Sequence, residues 1–221
     1  LFISEVVEAS SAGDRYAEIY NGTQSTVNLN QYEIRVTKNN GTTIYTLALD
    51  DNTPGSYNSS GDLLAGHTLL IVDADTGNDL LANLDNNSSN PDGILNDTQF
   101  IEWTRISDLG GDDALELLHN GAVIDVYGTP GHDPGSGWDV AGVSAGTKDH
   151  TIVRKADVAT GNGGDWTSSA GTNADDSEWI VFDQNTWDYL GSHPHDFSSD
   201  VPGCTDAEAC NFNADATLDD N

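Results

Sequence analysis

The chain has 221 residues, long for one β-sandwich and short for two ordinary domains, so one large domain with a small appendage is expected. Its 37 Asp and Glu against 7 Lys and Arg give a formal net charge of −30, spread along the sequence, which excludes a basic face for nucleic acid. No run reaches the roughly 20 apolar residues that a membrane-crossing helix needs, so no membrane insertion is expected.

Short apolar and β-branched runs recur between clusters of Gly, Asn, Asp and Ser, and no window sustains a helical period. The pattern predicts strands over 1–7, 16–20, 32–37, 43–49, 67–72 and 99–103. Four more follow over 114–118, 122–126, 151–154 and 178–182. In the third of these, Tyr32, Ile34 and Val36 alternate with Glu33, Arg35 and Thr37, the mark of a sheet buried on one side. Asn120-Gly121 between two apolar runs predicts a two-residue type I′ hairpin, and Asn39-Asn40-Gly41 a second, similar turn. The polar stretches 50–66 and 73–97 read as long surface loops. A composition shift near Ser192 divides the chain into a domain over 1–193, a linker over 194–202 and a Cys-containing unit over 203–221.

Several of these pieces occur together elsewhere. Tyr16-Ala17-Glu18-Ile19-Tyr20-Asn21-Gly22 followed by Val27-Asn28-Leu29 resembles the opening of bacterial lamin-tail domains. Gly111-Asp112-Asp113-Ala114-Leu115-Glu116-Leu117 with Val123-Ile124-Asp125-Val126-Tyr127-Gly128 is similar to that family's hairpin. Thr151-Ile152-Val153-Arg154-Lys155 and the ending Ser177-Glu178-Trp179 to Ser192-His193 extend the resemblance over about residues 1–193. The resemblance implies an all-β, immunoglobulin-like β-sandwich with long acidic loops, a small irregular C-terminal appendage and an accessory or interaction role. The tail from Gly203 resembles a Cys- and Asp-rich repeat of extracellular proteins of marine bacteria, and it stops before that repeat's last cysteine. Cys204 and Cys210 either pair with each other or leave one partner beyond residue 221.

A carboxylate excess of this size repels itself unless the medium supplies counterions, so abundant sodium or calcium is expected around the protein. Calcium takes oxygen ligands, and three clusters offer them. The first is Asp73, Asp75 and Asp79 around Gly77. The second runs from 85 to 97 and centres on Asp92. The third, Asp206, Asp215, Asp219 and Asp220, lies in the tail, where a small unit with little core stands to gain from an ion. Calcium is therefore the expected cofactor.

His193-Pro194-His195-Asp196 offers imidazoles and a carboxylate to a transition metal, but the proline sets neither ring on a helix face, and a structural role is expected. His132-Asp133 reads as a turn. No motif joins a nucleophile to a base, so no enzyme is expected. Trp179 and Trp187 read as core, whereas Trp138 and Trp166, in Gly-rich loops, read as candidates for stacking on an extracellular polysaccharide. Asn21-Gly22-Thr23, Asn40-Gly41-Thr42 and Asn96-Asp97-Thr98 match the glycosylation acceptor pattern.

The chain starts at Leu1 and contains no Met, so either a removed signal peptide or excision from a longer secreted or cell-surface protein is expected. The expected function is a structural or adhesive extracellular module whose partners are neighbouring modules or identical subunits. Self-assembly into a filament is expected to use Leu1 to Val7 as the donated strand. The alternative is a targeting or substrate-binding module of a secreted nuclease, phosphatase or protease.

Overall fold

A computed structural model describes residues 1–50, 56–57, 61–73, 99–195 and 204. The seven-stranded sheet contains β1 (Phe2–Val7), β2 (Tyr16–Tyr20), β6 (Ser56–Tyr57), β8 (Thr68–Val72), β9 (Gln99–Glu102), β12 (His150–Arg154) and β13 (Trp179–Asp183). Its order is β13-β12-β1-β2-β8-β9-β6, antiparallel throughout except for the parallel pair β8 and β9. The four-stranded sheet contains β4 (Tyr32–Lys38), β5 (Thr43–Ala48), β10 (Ala114–His119) and β11 (Ala122–Tyr127), in the order β11-β10-β4-β5. A two-stranded pair joins β3 (Val27–Asn28) to β7 (Asp62–Leu63). The only α-helix among the described residues is one short turn, α1 (Trp166–Ala170), capped by the Asp165 carboxylate, which accepts from the Ser168 N–H.

Alternation decides which side of each strand is apolar. Ile3 and Val6 of β1, Ala17 and Ile19 of β2, and Leu69 and Ile71 of β8 meet Ile34 and Val36 of β4 and Leu115 and Leu117 of β10 in one core. This is the all-β, immunoglobulin-like sandwich that the sequence predicts, with strands close to the expected ranges. Both turn residues of the hairpin, Asn120 and Gly121, have positive φ (51° and 77°), as a type I′ turn requires. On the other face of the four-stranded sheet Arg35 and Glu116 lie opposite each other and form a two-bond pair, both at 2.7 Å.

The seven-stranded sheet is buried on its outer face as well. The strands carry Val7, Tyr16, Leu70 and Val72 there, and Leu190 with Trp187 from the segment after β13 closes over them as a second, smaller apolar layer. β1 therefore lies inside the sheet, paired with β2 on one side and β12 on the other. The expectation that it serves as a donated strand is corrected: its hydrogen-bonding edges are both filled. Among the described residues no helix is long and apolar enough to cross a membrane.

Candidate functional site

Two features stand out chemically, one under the segment that follows β13 and one a cleft beside the short helix α1. The first begins with a register shift in β1 between Ile3 and Glu5, which brings Ser4 and Glu5 to the outer face together. Glu5 then lies directly opposite Glu18 of β2, and both side chains are 0% exposed. Glu18 is well bonded: the Ser4 hydroxyl donates to its Oε1 at 2.6 Å and the Gly191 N–H to its Oε2 at 2.9 Å. Glu5 is not, and neither of its oxygens has a hydrogen-bond partner. The Tyr16 phenol, also fully buried and without a formed hydrogen bond, is near enough to Glu5 to favour its charged form. Burial dominates nonetheless and, with the charge of Asp188, pushes the Glu5 carboxyl up to about 8. Burial and then the Glu5 charge raise Glu18 well above the usual carboxylate range, against the bonds from Ser4 and Gly191.

The covering segment is fixed by aromatic contacts. Trp187 stacks on Tyr16 with centroids 5.9 Å apart. His193 stacks on Tyr20 at 4.7 Å and meets the edge of Phe2 at 5.3 Å, while its Nδ1 accepts from the His195 N–H. Burial, reinforced by His195, lowers the His193 imidazole to about 3. His195 contacts the Ala156 carbonyl oxygen through its own Nδ1 at 2.7 Å. Both rings are thus fastened to the fold.

The second feature is a cleft of about 320 Å3 whose lining includes Thr129, His132, Trp138, Asp139, Trp166 and Thr172. Trp138 and Trp166 are only 8% and 5% exposed, so the expectation that they offer free indole faces to a sugar is corrected. They continue a row of rings from Tyr127 to Trp179, with neighbouring centroids 5.4 to 6.4 Å apart. The physical reason lies in Gly128, which has φ +75°. A Cβ there would stand 2.7 Å from the Trp138 ring, so the glycine makes room for an indole that a Gly-rich context suggests is exposed. His132 and Asp133 form a turn, with the His132 N–H donating to Thr129 O and the Gly135 N–H to Asp133 Oδ1.

At the end of that row Arg154 lies over the Trp179 ring, 4.3 Å from its centroid, and is itself 0% exposed. It donates to Asp125 at 2.5 Å and pairs with Glu178. Asp125 also accepts from the N–H groups of Ile3 (2.7 Å) and Asn162 (2.9 Å), and burial outweighs these partners to leave its carboxyl raised.

Of the acidic residues singled out for calcium, Asp73 is buried, directly after β8. Asp75, Asp79, Asp92, Asp206, Asp215, Asp219 and Asp220 lie outside the described residues. Among the described residues no group of three or more His, Cys, Asp or Glu side chains is placed to hold a metal ion. Cys204 is half-buried, and Cys210 lies outside the described residues. Asn21 of the first glycosylation match is 0% exposed, its amide donating to Ser25 O and Leu63 O, so it is a structural residue rather than an acceptor.

The family model of the lamin tail domain matches residues 1–131. The chain belongs to the lamin tail domain family. That family is a structural, immunoglobulin-like one, in keeping with the two packed sheets. No curated protein matches the chain. Two strands of the larger sheet, β12 and β13, follow the matched stretch, so in this lamin tail domain the sheet is extended by chain beyond residue 131. Both ends of the outer-face site, Glu5 and Glu18 below and Gly191 above, are brought together by that extension.

Proposed function

We propose that this lamin tail domain is a non-catalytic structural or adhesive module of a larger secreted or cell-surface protein, held to neighbouring modules or identical subunits with calcium between them. The observation that carries this reading is the use of its cations. Arg15, Arg35, Lys38, Arg105, Lys148 and Arg154 each face a carboxylate of the same chain, and Lys155 donates to the Ala174 carbonyl. All seven are engaged within the module, against a formal charge of −30. Its surface therefore meets partners through acid, and divalent ions are the natural bridge between two such surfaces. For assembly into a filament, β13, the outer strand of the larger sheet, offers an edge to a partner strand, whereas the outer side of β11 is already bonded by Asn162 and Gly163.

Sedimentation velocity in chelator and in millimolar calcium tests the reading. Calcium-dependent growth of oligomers supports it. A monomer at every calcium concentration, with no binding to a matrix polysaccharide, overturns it. The cleft that His132 and Asp139 help to line favours a second reading, in which the domain is the targeting or substrate-binding module of a secreted hydrolase. Capture of a defined polysaccharide that is lost on Asp139→Ala would favour that one.

A further inference from the structure

The outer-face carboxyl pair calls for something that the chain does not supply. Two like charges directly opposite each other on adjacent antiparallel strands are destabilising even at a surface. Glu5 and Glu18 occupy such positions with no exposure at all. Every Lys and Arg of the protein is engaged elsewhere, so the neutralising charge comes from solution, as a proton or as a metal cation.

The hydrogen bonds distinguish the two. Glu18 receives two donors, the Ser4 hydroxyl and the Gly191 N–H, an arrangement suited to a carboxylate rather than to a carboxylic acid. A proton placed on Glu5 would need an acceptor, and neither of its oxygens has a formed hydrogen bond, the Tyr16 hydroxyl lying beside it without one. The Tyr16 hydroxyl, 0% exposed and beside Glu5, is a third oxygen without a formed bond. A cation satisfies these oxygens and the charge together.

We propose that Glu5 and Glu18, with the Tyr16 hydroxyl, bind one divalent cation of the calcium type, and that this ion seats the 184–195 segment on the sheet. All the ligands are hard oxygens, which favours calcium over zinc or copper, and two carboxylates balance its charge. The register shift at Ser4 gives the site its shape, since it sets a hydroxyl donor against Glu18 beside the aligned Glu5. The segment is coupled to the ion through Gly191, which bonds the same carboxylate from above. This site is distinct from the Asp-rich loops and does not depend on an adhesive role.

The test uses the whole chain, stripped with chelator and titrated with calcium, as wild type, Glu5→Gln and Tyr16→Phe. Glu5→Gln is expected to lose one calcium equivalent, or to hold it at least about tenfold more weakly, the loss that even outer-shell changes at metal sites produce. Tyr16→Phe is expected to fold normally, because the ring keeps its stacking on Trp187 and its place in the outer apolar layer, and to weaken the same equivalent. Terbium bound at the site is expected to show emission sensitised through Tyr16 and Trp187, which stack on each other, and to lose it in both variants. Equal stoichiometry and affinity in all three proteins would overturn the proposal and assign the pair's neutralisation to protons. If Glu5→Gln does not fold, unchanged calcium affinity and terbium emission in Tyr16→Phe would overturn it equally.

Discussion

Replacing Arg154 with Met isolates the energetics of the most deeply buried ion pair. Arg154 and Asp125 are both 0% exposed and 2.5 Å apart, and the guanidinium also lies over Trp179. Methionine retains an unbranched apolar stem against the indole, so the cavity is small and the main loss is electrostatic. Asp125 would keep the Ile3 and Asn162 N–H donors but lose its counter-charge. Breaking a buried pair in this way costs about 3–5 kcal/mol, a large share of the roughly 5–15 kcal/mol that stabilises a typical domain. For a domain of this size the melting midpoint should fall by roughly 6–20 °C. Asp125→Asn keeps the shape and leaves Arg154 with Glu178 alone, and should cost less, about 1–3 kcal/mol. The double variant should then be less destabilised than the sum of the two by about 0.5–3 kcal/mol, since neither partner is left charged and alone. Equilibrium urea unfolding of all four proteins measures the cycle. Strict additivity, or an Arg154→Met cost below about 1 kcal/mol, would refute the claim that these charges meet in a water-free interior.

His193 should make the protein acid-sensitive in a defined window. Its folded pKa of about 3 lies below the ordinary 6.5, so the unfolded chain takes the proton first, and stability is full above pH 6.5 and falls as pH drops towards 3. Near about pH 5 the loss is on the order of 1–2 kcal/mol, and His193→Phe, which keeps a ring against Tyr20, should remove that part of the slope in urea titrations at several pH values. Asn21→Ala should cost about 2–3 kcal/mol, read by thermal unfolding, because it strips buried donors from Ser25 O and Leu63 O and an acceptor from the Thr23 N–H.

The sandwich was legible because its core depends on a period of two. Ile34 and Val36 are buried while Glu33 and Arg35 remain partly exposed, as the alternation of β4 demands, and Asn120-Gly121 turns where its φ preferences dictate. Thr37, on the polar side, is nevertheless buried, because Glu116 of the neighbouring strand lies within 3.4 Å of its hydroxyl. β3 and β7 have two residues each, too few to show any period. The helical turn α1 did leave a signal, Asp165 ahead of Trp166-Thr167-Ser168, but it is only five residues long. Trp138 and Trp166 were misread because loop composition reports how the backbone bends, not where a large ring comes to rest. The acid pair was hidden for a topological reason. Glu5 and Glu18 occupy the positions that alternation assigns to solvent, and the segment that covers them lies more than 160 residues further along the chain.

That covering layer is where the fold is most finely balanced. The inner core joins both sheets and contains most of the apolar side chains, so little that happens on the outer face bears on it. The outer layer has far less: Val7, Ala9, Tyr16, Leu70, Val72 and Leu190, with Phe100 and Trp187 at its edge. A buried Leu contributes about 1.5–3 kcal/mol, whereas an uncompensated buried charge costs several kcal/mol even after relaxation. Two carboxylates facing each other under Leu190 and Gly191 would therefore cancel most of what the apolar contacts supply. Meeting those charges bears more on the seating of the segment than on the inner core between the two sheets. On the proposed site, chelator should therefore loosen the 184–195 segment before the sandwich melts, which proteolysis after Asp183 would read.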